Sequence, residues 1–187
     1  DFSRLGIDRV GIETAKGAIA VNDRLETSVP GVYAAGDVIG GIMLAHVATA
    51  EGNLAARNIM GADLRMDHSV VPGCVYSRPE IAAVGLTEEQ AKAAGEIEIG
   101  RFFFRANGKA VIMNEIDGMV KIVSERNSRR VLGVHILGPH ATDLISEAVL
   151  GMKLGMTIRD LAEAIHPHPS LSEVIMEAAQ GMDKSAI

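Results

Sequence analysis

The stretch "EIEIGRFFFRANGKAVIMNEIDGMVKIVSERNSRRVLGVHILG", residues 96–138, decides the fold. Apolar runs of strand length alternate with short polar links. "EIEIGRFFFR", "KAVIMN", "GMVKIVSE" and "RVLGVHILG" read as four strands. The links "RANG", "EID" and "RNSRR" are hairpin-sized, so neighbouring strands should pair antiparallel. Upstream, "GCVYS" and "IAAVG" read as two more short strands on either side of Arg78-Pro79. "TEEQAKAAG" reads as a helix, with Thr87 and Gln90 in capping-box spacing and Gly95 at its end. Helices are expected over about 142–153, 158–165 and 171–179. Strands followed by helices define an α+β class, an antiparallel sheet with flanking helices.

The first third reads differently. "AIAVN" (18–22) and "VYAA" (32–35) suggest short strands, and Gly36-Asp37 closes the second. A small-residue loop leads into a helix over about 43–60 that is dense in alanine and glycine. Pro72-Gly73 is the next strong break. The boundary is placed so that residues 1–68 form one domain, the remnant of an α/β unit, and residues 69–187 the other. The opening "DFSRLGIDRVGIETAKG" reads as part of something longer, so the chain is expected to be a segment of a larger protein.

Composition narrows the function. The formal net charge is -6 and no basic stripe appears, which argues against nucleic acid or an anionic membrane as the main partner. No apolar stretch is long enough to span a bilayer. Tryptophan is absent and aromatics make up 3% of residues, so the core must be aliphatic. Cys74 is the single cysteine, which fits a reducing, cytoplasmic setting and leaves no intramolecular disulfide.

Two motifs carry chemistry. In "GVYAAGDVIGGIMLAH" (31–46), a glycine allows close backbone approach, Asp37 can accept hydrogen bonds from hydroxyls, and a helix N-terminus offers free N–H groups. In "HPHPSLSE" (166–173), each proline favours an extended conformation for the histidine before it. Ser170 and Glu173 have capping-box spacing, which alone accounts for the glutamate. A carboxylate that fixes an imidazole would make the same residues an oriented acid-base pair. Spacing does not separate these readings. His-x-His with no third ligand nearby is a weak metal pattern, and no metal site is expected. His68, His135 and His140 show no partner pattern and read as structural.

"TSVPGVYAAGD" (27–37) resembles the second flavin-contacting motif of the pyridine nucleotide-disulfide oxidoreductases. The resemblance implies that Asp37 holds the ribityl hydroxyls of FAD and that Met43, Leu44, Ala45 and His46 contact the flavin at the helix start. "YSRPEIAAVGLTEEQAK" (76–92) and "RVLGVHILGPHATDLISEAVLGMKLG" (130–155) look like segments of that family's interface, or dimerisation, domain. "HPHPSLSE" is similar to the His-x-His-Pro-x-x-Ser-Glu signature of dihydrolipoamide dehydrogenases. That likeness implies His168 as acid-base for the substrate thiol and Glu173 as its orienting partner. It further implies FAD and NAD as cofactors of the intact enzyme, a homodimer, and lipoyl-bearing proteins of 2-oxo acid dehydrogenase or glycine cleavage systems as partners. The phosphate loop, the redox Cys-x4-Cys and the NAD domain of that family have no counterpart in these residues. A related reductase of the glutathione reductase type, or a non-catalytic dimerisation module, are the alternatives.

Overall fold

The computed structural model describes residues 2–183, which fall into two compact units divided between His68 and Ser69. In the first unit, β1 (Thr14–Ala15) and β2 (Ala18–Ile19) form a two-stranded antiparallel ribbon. Residues 25–34 fold back around Pro30-Gly31: Thr27 N–H donates to the Val32 carbonyl at 2.8 Å and Ala34 N–H to that of Leu25 at 3.1 Å. Helix α1 (Ala45–Ile59) lays Val47 and Ala55 into a small core with Ile19 and Leu25. Its buried Asn58 accepts from Leu64 N–H and donates to the carbonyls of Arg24 and Leu64, which fixes the exit of the helix. The expected strand at 32–35 does not form. Tyr33 makes one bridge, to Glu26, Val32 remains exposed, and among the described residues no further strand pairs with this stretch.

In the second unit, β3 (Gly73–Val75), β4 (Glu80–Gly85), β5 (Ile97–Phe103), β6 (Met119–Glu125) and β7 (Val131–Gly138) form one antiparallel sheet in the order β3-β4-β7-β6-β5. Register explains the core. Ala82, Ile136 and Val120 lie opposite one another across three strands, as do Val84, Val134 and Ile122, and all six are buried. With a side-chain period of two, they share one face.

That face is covered by helices. α4 (Ala141–Lys153) packs on β4 and β7, and α6 (Glu173–Gln180) on β5 and β6, with α5 (Ile158–Glu163) against α6. They contribute Ile145, Ala148, Ile158, Val174, Ile175 and Ala178 to an aliphatic core in which Phe104 is the buried aromatic. Burying side chains of this size is worth about 1.5–3 kcal/mol each before entropy is counted. Helix α2 (Glu88–Ala94) lies on β5 and β6, has its expected Thr87–Gln90 capping box, and buries Ala91. Gly100 on β5 sets the height of α6. A Cβ there would stand 2.4 Å from the Ala178 carbonyl oxygen and from Met182 Sδ, so any side chain would lift the helix off the sheet.

The run "KAVIMN" is not a strand. Residues Gly108–Met113 form helix α3. Asn107 caps it by accepting from Ala110 N–H at 2.9 Å, and Asn114 ends it in a left-handed conformation. Val111 and Ile112 are exposed, so the apolar run has one buried position per turn rather than a sheet face. Local capping chemistry at both ends overrides the β-branched composition.

Candidate active site

Of the acid-base candidates, His168 sits on the segment between α5 and α6, and Glu173 is the first residue of α6. His168 Nδ1 lies 2.8 Å from Glu173 Oε1, and Ser170 N–H donates to Glu173 Oε2 at 2.8 Å. One carboxylate thus contacts both the imidazole and the Ser170 backbone. The capping box itself is incomplete. Ser170 is not the N-cap: its hydroxyl meets that of Ser172 at 2.9 Å, and Ser172 precedes the helix without a side-chain cap bond. The Ser170 N–H, and after it the His168 contact, hold the Glu173 carboxyl below its ordinary range. A carboxylate that accepts from Nδ1–H fixes the imidazole tautomer and leaves Nε2 as the available base. The Glu173 side chain is 15% exposed and the His168 ring 77%. The ring is presented outward and its carboxylate is anchored. The His168–Pro169 peptide is cis.

His166 does something different. Its ring is 7% exposed, Nδ1 meets the Ala164 carbonyl at 2.9 Å, and Nε2 meets Glu147 Oε1 on α4 at 3.0 Å. Both nitrogens are engaged, so this histidine fastens the segment to α4. From the other side, Asn107 Nδ2 donates to the Ser170 carbonyl at 2.9 Å. Neither Glu147 nor Asn107 has a sequence signal that links it to the His-Pro motif.

In the first unit, Gly36 has φ +80°, in the left-handed region that favours glycine, and a Cβ there would stand 3.2 Å from that of Ala48. The turn Asp37–Ile39 follows, with Asp37 exposed. Met43 is exposed, and Leu44 occupies the N-cap of α1 with no side-chain cap bond, so Ala45 and His46 open a helix whose first turn carries no acidic residue. Glu51, 4% exposed, joins these parts: Oε2 accepts from Gly36 N–H at 2.8 Å and Oε1 meets His68 Nε2 at 3.0 Å. His68 therefore has a partner that its sequence context did not show. So do His135, at 3.0 Å from the Leu86 carbonyl, and His140, at 3.3 Å from Asp143.

A surface cleft of about 370 Å³ lies elsewhere in the second unit, lined by Ser77, Arg78, Glu80, Glu115, Asp117 and His140 among others. Two of its lining residues, Arg78 and Glu115, form an ion pair at 2.6 Å, and the lining includes neither His168 nor Glu173. Among the described residues, no group of three or more His, Cys, Asp or Glu is placed to hold a metal ion. Among them too, no helix is long and apolar enough to cross a membrane.

The second unit is thus an antiparallel sheet backed by helices, with His168 and Glu173 in contact at the start of the last one. Residues 71–179 match the dimerisation domain of the pyridine nucleotide-disulphide oxidoreductases, and residues 2–52 match a second domain of that name. The chain belongs to the pyridine nucleotide-disulphide oxidoreductase family. It is 49% identical over 185 residues to a dihydrolipoyl dehydrogenase of Bacillus subtilis, a match that covers 98% of this chain and 39% of that protein. Among solved structures, LpdA from Mycobacterium tuberculosis superposes with a TM-score of 0.92 at 32% identity, covering 98% of this chain and 40% of that one. The HOCl-induced flavoprotein disulfide reductase RclA from Escherichia coli does so with a TM-score of 0.90 at 27% identity, covering 96% and 42%. The chain thus spans about two fifths of the length of these relatives.

Proposed function

We propose that this chain is the C-terminal part of a flavin-dependent dihydrolipoamide dehydrogenase, with residues 69–187 as its interface domain and residues 1–68 as the end of its FAD domain. The carrying observation is the 2.8 Å contact between His168 Nδ1 and Glu173, in a chain that resembles dihydrolipoyl dehydrogenases over nearly its whole length. The overall reaction converts a protein-bound dihydrolipoamide dithiol and NAD+ into the lipoamide disulfide, NADH and a proton.

The residues present suit a flavin. The glycine turn at Gly36 gives close backbone approach, and Asp37 is exposed to accept from ribityl hydroxyls. The N-terminus of α1, at Met43, Leu44, Ala45 and His46, has backbone N–H groups and a partial positive charge to offer the electron-rich pyrimidine side of the ring. FAD and a redox disulfide supply the oxidising chemistry when present. Cys74 is the chain's only cysteine, so these residues cannot supply both sulfurs of that disulfide.

Within this chain the chemistry falls to His168. Nucleophilic attack needs the thiolate, and an ordinary thiol near neutral pH is mostly protonated. His168 Nε2 takes the substrate thiol proton, and the Glu173 carboxylate steadies the imidazolium that results. An exposed ring cannot exclude water alone, so the site requires a second surface over His168. A homodimer, in which the ring serves the flavin and disulfide of the other subunit, provides one. Lipoyl-bearing proteins of 2-oxo acid dehydrogenase or glycine cleavage systems would be the partners. The free Cys74 suits a reducing compartment such as the cytoplasm.

The lone cysteine also favours a second reading, a dimerisation module without catalysis. Single-turnover flavin reduction by dihydrolipoamide in the longer enzyme separates the two. Loss of reduction in His168→Ala with the fold intact supports the catalytic reading. An unchanged rate in that variant supports the module.

A further inference from the structure

Asn107 is 4% exposed and lies in the "RANG" link, which composition alone marks as a turn. Its carboxamide faces two ways. Oδ1 accepts from Ala110 N–H at 2.9 Å, the N-cap bond of α3, and Nδ2 donates to the Ser170 carbonyl at 2.9 Å. Ser170 in turn donates its N–H to Glu173 Oε2 at 2.8 Å, and Glu173 Oε1 meets His168 Nδ1 at 2.8 Å. A continuous line of hydrogen bonds therefore runs from the start of α3 to the imidazole, across residues far apart in sequence.

We propose that Asn107 is a positioning residue for the His168–Glu173 pair, acting through Ser170. The inference rests on the reading of that pair as the acid-base site. Its physical basis is the choice of side chain. An N-cap needs only an acceptor, and serine or aspartate would cap α3 about as well as asparagine. Only an amide adds an N–H donor at the same place. The Ser170 carbonyl accepts from Asn107, and the N–H of the same residue is the foremost influence that lowers the Glu173 carboxyl. Asn107 thus fixes one side of residue 170 while Glu173 takes the other. His166, bonded to Glu147 on α4, holds the preceding end of the segment, and its ring also contributes to keeping Glu173 ionised. With both ends fastened to separate elements, the carboxylate meets the imidazole without reorganisation, which is what a general acid-base requires.

The experiment uses the 187-residue chain, without cofactor or substrate. Asn107→Ser keeps the α3 cap and removes the donor to Ser170. The Glu173 side-chain carboxyl is followed by carbon NMR against pH, with Ser170 amide exchange measured alongside. The expected result is a thermal midpoint close to the parent's, a Glu173 titration displaced upward toward the ordinary carboxylate range, and Ser170 exchange about fivefold faster, as for loss of one net hydrogen bond. In the unmutated chain, the Asn107 side-chain amide protons should shift in step with the Glu173 titration. That second measurement decides the matter if Asn107→Ser fails to fold. An unmoved Glu173 titration in a folded variant overturns the proposal, as do Asn107 amide resonances that stay flat through it. Failure of the acid-base reading itself is seen separately, as undiminished flavin reduction in His168→Ala of the longer enzyme.

Discussion

Glu173 divides its carboxylate between His168 and the backbone. Oε1 takes the imidazole Nδ1 and Oε2 the Ser170 N–H, each at 2.8 Å. The same residue opens α6 and contacts the ring, so the helix start and the proposed acid-base pair share one carboxylate. Glu173→Gln separates them. Glutamine retains an acceptor for Ser170 N–H but turns an NH2 toward Nδ1, which favours the tautomer with Nε2 protonated and removes the charge that stabilises imidazolium. In the longer enzyme, single-turnover flavin reduction should slow and its pH profile should move to lower pH, with thermal stability near the parent's. A profile that stays in place would leave Glu173 as a cap only.

The two histidines should fail differently. His168→Ala should cost about two to four orders of magnitude in flavin reduction, the usual contribution of a general acid-base, and little stability, because its ring is 77% exposed. His166→Ala removes a buried ring with two partners and should cost roughly 1–3 kcal/mol in urea unfolding of the chain. Its effect on the chemical step should be the smaller of the two. A larger rate loss in His166→Ala than in His168→Ala would reverse the assignment.

Acid should weaken the second unit through named groups. Glu173 is held low by Ser170 N–H and His168, and Asp160 by the Thr157 backbone and hydroxyl. A carboxyl depressed in the folded state contributes stability that is fully present above its unfolded value and is lost as pH falls through the folded one. Unfolding followed from pH 6 downward should therefore show stability declining through and below the ordinary carboxylate range. Glu173→Gln should flatten part of that decline. Equal slopes in parent and variant would show that Glu173 is not among the linked groups.

The isolated chain should not hold FAD tightly and should not oxidise dihydrolipoamide, since one cysteine cannot form the redox disulfide. It should still self-associate through the second unit. Light scattering at micromolar concentration should report a mass above 19.8 kDa. A yellow purified chain, or a strict monomer, would contradict one or the other expectation.

Legibility in the sequence followed locality. The Thr87–Gln90 box and the strands of β6 and β7 were readable because their signals sit within a few residues of the structure they dictate. "KAVIMN" misled because its β-branched composition was stronger than the Asn107 and Asn114 caps that make it helical. "VYAA" misled because strand formation needs a neighbour that a sequence window does not show. At the candidate site, spacing brought His168 and Glu173 together but could not choose between their roles. Glu147, Asn107 and Glu51 were invisible, since each reaches its partner across a tertiary contact with no pattern along the chain.

The aliphatic core has an optical consequence. The chain has no tryptophan and two tyrosines, and these fall one to each unit, Tyr33 in the first and Tyr76 in the second. Its intrinsic emission is therefore faint, and a single indole placed in one unit would dominate the fluorescence of the whole protein. Replacing Phe104, buried in the second unit, with tryptophan would give that unit its own unfolding signal. Whether the two units melt together or separately then becomes a question that one fluorescence trace and one circular-dichroism trace can answer.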